Sequence, residues 1–346
     1  MEKHLIITQD RDGSSDEVCN WFYRYGVHFK RLNLDSYKLI NRKNDLYSDY
    51  FNFDSVDINI PGNTKVNDEN FTEEYASIWF RRPSASLENM VVDLTNSGLS
   101  TVLLQAIRSN QKSELKELYD YIFNSTIQGK VILGNRLKTR VNKLEILFLA
   151  NKLGICIPRT KIVSKKSQIL EFQKEVSNSL ITKSIFEPIA SMDDELRELH
   201  SSYTNELNDS ILDKLPNYFS PSLIQEKVDK DFEIRTFVMG ENFYSMAIFS
   251  QNNEKTAVDF RRYDREKPNR NIPFSLPEEL TLKIKKLMKI IGFNTGSIDI
   301  IKSKNGKYYF LEINSVGQFG MVSRPCNYNI EYHIYKYLTK NEEKTS

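Results

Sequence analysis

One hairpin-like segment constrains this chain more than any other, the run GSIDIIKSKNGKYYFLEIN over residues 296–314. Two strand-like stretches flank Asn305-Gly306, and Asn-Gly is the strongest short signal for a tight β-hairpin. If these two residues form the loop, Asp299 lies directly opposite Glu312, and Asn314 points to the same face of the sheet. Like charges that face each other destabilise a sheet, so the pairing indicates a positively charged ligand.

The donor types on this face indicate a metal ion. Two carboxylates and an amide oxygen suit Mg²⁺, which prefers hard oxygen ligands together with nucleotide phosphates. The alternative is a solvated sheet face on which acidic residues are merely tolerated. That alternative rests on Ile300, Leu311 and Ile313, which mark the opposite face as the buried one. We favour the metal site because Asn314 and a glycine-rich run follow the two carboxylates. The glycine-rich run Gly317-Gln318-Phe319-Gly320 then leaves room for a ligand to approach.

An acid-x-Arg pattern occurs twice before this segment, as Glu233 with Arg235 and as Asp259 with Arg261. Each pair shares one face of a predicted strand, and an ordinary exposed salt bridge of little energetic value remains an alternative. Beside a metal site, the same residue types supply acceptors for ribose hydroxyls and guanidinium groups for phosphate oxygens.

Two lysines are candidates for binding an anion. Lys183 lies in the apolar run LITKSI, where an ammonium group is costly unless it meets a negative charge. Lys143 lies in the first turn of a predicted helix over residues 142–152, with Leu144, Leu147 and Phe148 facing inward. Exposure on the surface is the simpler interpretation of Lys143 by composition alone.

Composition excludes several classes of protein. The 346 residues include 48 Lys and Arg against 46 Asp and Glu, so the net charge of +2 argues against a nucleic-acid-binding protein. No apolar run reaches membrane-spanning length, and the first residues do not form a secretory signal. Three scattered cysteines indicate neither a disulfide framework nor a zinc site. We therefore expect a cytoplasmic protein that binds neither nucleic acid nor membrane.

Several catalytic motifs are missing from the sequence. There is no G-x-G-x-x-G, no P-loop and no G-x-S-x-G, and none of the four histidines has a recognisable motif around it. The sequence therefore gives little support to Rossmann-type nucleotide binding or to histidine-based nucleophilic catalysis.

Strand and helix signals divide the chain into regions. Residues 5–34 have a β-α-β pattern that predicts a parallel sheet, and SIWF at 77–80 is a further strand. From Leu223 onward the pattern predicts an antiparallel meander with strands near 232–238, 243–250 and 256–262. The fold class is α/β passing into α+β.

The order and spacing of these motifs over residues 130–325 resemble those of ATP-grasp carboxylate–amine ligases. The motifs are Lys143 before Gly154-x-x-x-Pro158-x-Thr160, Lys183, LIQEKV, acid-x-Arg, DFRR, and Asp299 with Glu312-x-Asn314. The resemblance implies an ATP-grasp fold with a pre-ATP-grasp domain at 1–125, a central subdomain at 126–221 and an antiparallel-sheet subdomain with the metal site at 222–340.

Three further segments, SIWFRRP, DFRRYD and EINSVGQFGMVSRPCNYN, resemble the graspetide ligases, which make microviridin-type ester and amide links in ribosomal peptides. The last segment is most similar to ligases of the grasp-with-spasm systems. The resemblance implies ATP and Mg²⁺ as cofactors. It also implies a ribosomal precursor peptide with a leader segment as substrate, a radical SPASM-domain protein as a partner, and a homodimer.

The resemblance also assigns roles to individual residues. Those expected around the nucleotide are Lys143 and Lys183 at the phosphates, Gln225, Glu226, Lys227 and Val228 in a hinge against adenine, Glu233 at the ribose, and Phe260. Those expected around the reaction are Arg235 and Arg261 at the phosphates and acyl phosphate, Asp299, Glu312 and Asn314 at Mg²⁺, and Arg81 and Arg82 at peptide carboxylates. Two departures stand out: the loop after Lys183 has no glycine, and Glu233 stands where Asp is common.

The implied reaction activates an Asp or Glu side chain of the peptide as an acyl phosphate, which a Ser or Thr hydroxyl or a Lys amine then attacks. Positioning and electrostatic stabilisation suffice for this chemistry, so a protein nucleophile is not required. Two alternatives stay open. The chain could add an amino acid to a protein or small acid, or it could bind ATP as a scaffold without ligation.

Overall fold

The computed structural model of the chain describes residues 3–34, 53–56, 64–66, 69–70, 75–82, 98–136, 141–176, 179–186, 190–193, 198–201, 204–251 and 268–340. The predicted meander strand near 256–262 lies outside these residues, and so do Asp259, Phe260 and Arg261.

The N-terminal region contains a four-stranded parallel sheet. Its elements are β1 (Lys3–Thr8), α1 (Gly13–Arg24), β2 (Phe29–Asn33), β6 (Tyr75–Phe80), α2 (Thr101–Thr126) and β7 (Val131–Leu133). The strand order is β2-β1-β6-β7, and all neighbours run parallel. The short strands β3 (Phe53–Val56), β4 (Thr64–Val66) and β5 (Glu69–Asn70) form a separate antiparallel sheet. The predicted β-α-β opening is confirmed.

The middle of the chain forms an antiparallel sheet of order β12-β9-β13-β8 beside the hairpin β10-β11. Its elements are α3 (Lys143–Lys152), β8 (Thr160–Lys165), α4 (Lys166–Glu175), β9 (Leu180–Lys183), β10 (Ala190–Asp193), β11 (Glu198–Ser201), β12 (Asn205–Glu206), α5 (Asp209–Lys214) and β13 (Tyr218–Glu226).

Helix α3 differs from the expectation in which side chains it buries. Ile146, Leu147 and Ala150 form its buried stripe, whereas Phe148 is 64% exposed. The prediction that Phe148 faces inward is wrong because successive helix residues are rotated by about 100°. The buried stripe already spans the roughly 100° from Ile146 to Leu147, so Phe148 lies about a further 100° around the helix and outside the stripe.

The C-terminal region contains a five-stranded antiparallel sheet of order β16-β15-β14-β17-β18. Its elements are β14 (Lys230–Met239), β15 (Asn242–Phe249), β16 (Arg270–Phe274), α6 (Glu278–Ile291), β17 (Thr295–Ser303), β18 (Tyr308–Asn314), α7 (Gly320–Cys326) and α8 (Ile330–Leu338).

Hydrophobic side chains cover both faces of this sheet. On one face, Ile234 and Ile298 pack with residues of α3 and α6. On the other, Phe237 and Met246 pack with residues of α7, α8 and the N-terminal sheet. Strand β14 is therefore a central buried strand, and the acidic and basic residues on it must find partners inside the protein.

None of the described helices combines the length and the apolar character that crossing a membrane would need. The three largest sheets of the described residues follow one another along the chain, while the predicted domain boundaries stay a prediction.

Candidate active site

Strands β17 and β18 bring together the acidic residues that the sequence singled out. Asp299 pairs directly with Glu312, and Ser297 pairs with Asn314. The predicted pairing of the two carboxylates is confirmed.

The loop that joins these strands is not the predicted two-residue turn. Lys302 pairs with Tyr308, and the Ser303 amide donates to the Lys307 carbonyl at 2.9 Å, so three residues form the loop. Gly306 has a φ of +87°, the left-handed conformation expected at the end of such a loop.

A bulge in β18 compensates for the longer loop. The pairing passes from Ile300 with Phe310 to Asp299 with Glu312, which leaves Leu311 as the extra residue. An extra residue in a strand moves every side chain that follows it to the other face of the sheet. Glu312 and Asn314 therefore point to the polar face, while Phe310 and Ile313 both belong to the hydrophobic core on the other face.

Arg235, Asp299 and Glu312 form a row across the three neighbouring strands β14, β17 and β18. Arg235 Nε lies 3.4 Å from Asp299 Oδ1, and Lys143 Nζ lies 3.4 Å from Glu312 Oε2. Each carboxylate of the facing pair thus has its own cationic neighbour. Arg235 is 7% exposed, so the expectation of an ordinary surface salt bridge does not apply to it.

Lys143 also connects this row to the middle sheet. Its Nζ donates to the carbonyl of Ser184 at 3.4 Å, directly after Lys183 at the end of β9. Asn142 caps α3 by accepting from the amides of Leu144 and Glu145, which fixes the turn that carries Lys143. The side chain of one predicted phosphate-binding lysine therefore contacts the residue next to the other.

The predicted hinge lies where the chain leaves β13 for β14. Gln225 is buried and its side chain donates to Thr160 Oγ1 at 2.8 Å. The amide of Glu226 donates to the Arg159 carbonyl at 2.9 Å, and that of Lys227 donates to the Ser179 carbonyl at 2.7 Å. These bonds hold the connection between the two sheets in one conformation.

Glu233 makes contacts that the sequence did not indicate. Oε1 lies 2.7 Å from Lys230 Nζ, and Oε2 accepts a hydrogen bond from Ser250 Oγ at 2.6 Å. Lys230 and Glu233 are 6% and 8% exposed in their side chains. A spacing of three residues normally separates side chains to opposite faces of a strand. The irregular pairing between Lys230 and Phe232 brings these two together, and no sequence pattern marks it.

A cavity of about 630 Å³ opens beside the row. Its described lining includes the predicted residues Arg82, Arg235 and Asn314. It also includes Gly317 and Gln318 of the predicted glycine-rich run. The remaining lining residues had no role assigned from the sequence, namely Met246, Ile248, Asn269, Asn271, Val316 and Met321. Asn269, directly before β16, and Asn271, within it, were the only polar residues among these that could have indicated a binding surface. No sequence motif surrounds them.

Arg81 and Arg82 take different positions. The guanidinium of Arg81 is 4% exposed and donates to the carbonyls of Val316 and Gly317. Burial lowers the pKa of Arg81 to about 10, against the opposing effect of Asp12. Arg82 is 35% exposed and lines the cavity, so of the two it is the one open to a substrate.

Asp299, Glu312 and Asn314 fit a divalent cation of the Mg²⁺ type. All three offer hard oxygen donors on one sheet face, and the cavity beside Asn314 leaves space for ligands from outside the protein. Among the described residues, no group of three His, Cys, Asp or Glu side chains is arranged for metal binding, so this site would depend on an amide and on ligands from a substrate.

Cys19 and Cys326 are poor candidates for a nucleophile. Burial raises the pKa of the Cys19 thiol to about 12, and it also raises the pKa of Cys326. Thiols with raised pKa values are poor nucleophiles at neutral pH.

Known structures are similar to the chain over nearly its whole length. An ATP-grasp ligase associated with ribosomal peptides, from Chryseobacterium gregarium in complex with ADP and a leader and core peptide, aligns with a TM-score of 0.73 and 24% identity. The alignment covers 100% of this chain and 98% of that one. The macrocyclase MdnC of Microcystis aeruginosa, bound with the precursor peptide MdnA, gives 0.71 and 23% over 98% and 99% of the two chains.

A family comparison agrees with this fold. A probable alpha-L-glutamate ligase of Vibrio vulnificus is 24% identical over 207 residues, which are 59% of this chain and 65% of that protein. The chain thus spans somewhat less than two thirds of the relative's length. The model of the RimK-like ATP-grasp domain matches residues 140–338, more than half of the chain. The chain has the ATP-grasp fold and belongs to the RimK-like ATP-grasp family.

Proposed function

We propose that the protein is an ATP-dependent ligase that joins side chains of a ribosomal precursor peptide through ester or amide links. The observation that carries the proposal is the row of Arg235, Asp299 and Glu312, which faces Lys143 and ends at a cavity large enough for a peptide side chain. This arrangement combines candidate metal donors, cations for phosphate groups and a substrate space.

ATP would bind between the middle sheet and the five-stranded sheet. Gln225, Glu226, Lys227 and Val228 would border adenine, mainly through backbone groups. Because the amides of Glu226 and Lys227 already donate within the protein, adenine would contact the neighbouring backbone groups instead. Lys143 and Lys183 would bind the phosphates near the contact between Lys143 and the Ser184 carbonyl. Phe260 stays a prediction.

Asp299, Glu312 and Asn314 would hold Mg²⁺, which when bound neutralises the negative charge of the phosphates. Arg235 shares the row and also lines the cavity. Its guanidinium would contact the γ-phosphate before transfer and the same phosphoryl group, then part of the acyl phosphate, after it. Arg261 would act with it and stays a prediction.

The reaction has two steps. A carboxylate oxygen of a peptide Asp or Glu attacks the γ-phosphorus, the bond to the β-phosphate oxygen breaks, and ADP leaves. A Ser or Thr hydroxyl or a Lys amine of the peptide then attacks the acyl carbon, loses its proton, and displaces phosphate. Arg82, half-exposed at the cavity, would hold the peptide carboxylate, while Arg235 stabilises charge on the transferred group.

The peptide class rests on the solved structures named above, which are complexes with a leader and core peptide and with a precursor peptide. We infer that this substrate also carries a leader segment. A radical SPASM-domain partner and a homodimer stay predictions from the resemblance, and so do the domain boundaries at 125 and 221.

The test is the intact mass of a candidate precursor peptide, encoded beside this gene, after incubation with the protein, ATP and Mg²⁺. We expect the loss of one water per link, matched by release of ADP. A reaction without ATP is the control for spontaneous dehydration. Truncation of the leader should slow modification strongly. Unchanged peptide mass with no ADP release would leave a scaffold that binds ATP without ligation.

A second candidate is a ligase that adds an amino acid to a protein or a small acid. The similarity to a probable alpha-L-glutamate ligase favours it. In that case ADP would form with free glutamate or another amino acid as acceptor, and truncation of a leader would leave the rate unchanged.

A further inference from the structure

We infer that Arg81 is a positioning residue that fixes the loop of residues 315–319 and so shapes one wall of the peptide cavity. The inference rests on the proposed function. Arg81 directly follows β6 of the N-terminal sheet. Its side chain nevertheless donates hydrogen bonds to carbonyls of residues more than two hundred positions later in the sequence. Its Nη1 donates to both Val316 and Gly317, at 2.9 Å for Gly317.

The loop that Arg81 holds is part of the candidate site. It begins directly after Asn314, and Val316, Gly317 and Gln318 all line the cavity. The amide of Gly317 donates back to the Asn314 carbonyl at 3.1 Å. A displaced loop would therefore change both the cavity wall and the backbone next to a candidate metal ligand.

The loop approaches β17 too closely for a side chain at its centre. A Cβ atom at Gly317 would lie 2.6 Å from Ser297 Oγ and 2.8 Å from the Ser297 amide nitrogen. A glycine permits this approach but also adds backbone freedom, so a contact from outside the loop is needed to define its conformation. The two carbonyls bound by Arg81 provide that contact.

Contacts with Asp12 and Phe319 fix the Arg81 side chain in place. Its Nε lies 3.4 Å from Asp12 Oδ2, and the same carboxylate accepts from Ser15 Oγ at 2.6 Å and Thr8 Oγ1 at 2.8 Å. The guanidinium carbon lies 5.2 Å from the centre of the Phe319 ring, and Phe319 is fully buried. A planar guanidinium can serve all these partners together, whereas a lysine ammonium is a single point charge.

The test compares Arg81→Lys with Arg136→Lys as the matched control. Arg136 is also a poorly exposed arginine of the N-terminal region, with an aspartate neighbour, Asp120, at 3.5 Å and an aromatic contact to Phe123 at 4.6 Å. It does not line the cavity. Three quantities are measured for each protein: hydrogen exchange of the peptide covering 315–319, binding of metal-free ATP, and steady-state kinetics with the precursor peptide.

For Arg81→Lys we expect faster exchange at 315–319 and a KM for the peptide raised about tenfold or more, because small displacements at a reaction site are costly. The affinity for metal-free ATP should stay within about twofold of the wild-type value. The predicted hinge follows β13 of the middle sheet, whereas Arg81 follows β6 of the N-terminal sheet. Arg136→Lys should leave all three quantities unchanged. Wild-type exchange and wild-type KM in Arg81→Lys would overturn the inference.

Two further outcomes are distinguishable. If Arg81→Lys does not fold, Gly317→Ala disturbs the same loop from the β17 side and should give the same exchange and KM pattern; a wild-type KM in that variant would overturn the inference. If the wild-type protein releases no ADP with the peptide, the proposed function fails. The exchange measurement then still decides whether Arg81 fixes the loop.

Discussion

Lys143 Nζ lies 3.4 Å from Glu312 Oε2, so the first turn of α3 meets the last strand of the five-stranded sheet at the candidate active site. The lysine is 19% exposed and the glutamate 12%, and a charge so little exposed is costly without a partner. Asp299 has the corresponding neighbour in Arg235. The two facing carboxylates are thus tolerated without a ligand, because each has a cation beside it.

Glu312→Gln should lower turnover at least about 100-fold, because it removes a charged metal donor while keeping the shape of the side chain. The measurement is ADP release with the precursor peptide, with circular dichroism to show that the fold is kept. Glu331→Gln is the control, since Glu331 accepts from Ser323 Oγ outside the row. Near-normal activity of Glu312→Gln would contradict the metal assignment.

Arg235→Lys should slow formation of the acyl phosphate about tenfold or more, because an ammonium cannot contact phosphate and substrate oxygens together as a guanidinium does. Pre-steady-state release of ADP in a single turnover measures this step. Arg270→Lys serves as the control, since Arg270 lies on the neighbouring β16 and stacks on Phe249. An unchanged single-turnover rate in Arg235→Lys would reject the role of Arg235.

Much of this arrangement follows from the sequence, because alternation along strands is a strong signal. The facing of Asp299 and Glu312 was predictable even though the loop was wrong: the three-residue loop and the bulge at Leu311 offset each other. The bulge was not predictable, because the residue types around Leu311 do not distinguish it from a regular strand residue. The correct pairing therefore depends on two irregularities that cancel.

Contacts between distant parts of the chain were beyond sequence reasoning. Arg81 was expected to meet a peptide carboxylate, yet Asp12 and the carbonyls of the 315–319 loop surround its guanidinium. The expectation came from the resemblance of the segment SIWFRRP to graspetide ligases. Which groups lie opposite the end of that strand depends on how two sheets pack. The same holds for Lys230, whose contact with Glu233 depends on an irregular strand pairing.

Lys230→Met should lower the free energy of unfolding by about 3 kcal/mol, because it leaves the buried carboxylate of Glu233 without its cationic partner. Urea denaturation measures the change. The double variant Lys230→Met with Glu233→Gln should recover a large part of the loss, since the uncompensated charge is then removed as well.

The control for this cycle is Lys302→Met, because the Lys302 ammonium lies over the Tyr308 ring near the loop and is not part of the buried pair. Its effect should stay within about 1 kcal/mol. If Lys230→Met were as mild as Lys302→Met, the ion pair with Glu233 would not be a stabilising contact.

The contribution of Asp12 to stability should depend on pH in a defined direction. Burial on its own would raise the pKa of Asp12, but Arg81, the hydroxyls of Ser15 and Thr8, and Arg82 outweigh it and lower the pKa below its ordinary value. A folded-state pKa below the unfolded value of about 3.9 means that the stabilisation is fully present above that pH. It is lost as the pH falls through the folded-state value.

Asp12→Asn should therefore lower the denaturation midpoint most at about pH 6 to 7, and the difference from the wild type should narrow below about pH 4. The control is Asp16→Asn, because Asp16 is 53% exposed and pairs with Arg31 at the surface, where such pairs contribute less than about 1 kcal/mol. A gap between wild type and Asp12→Asn that stays constant from pH 3 to 7, as read from urea midpoints, would mean that the Asp12 carboxylate does not stabilise the end of β1 through its charge. In that case the anchoring of Arg81, and with it the fixed position of the cavity loop, would have to come from the Phe319 ring and the loop carbonyls alone.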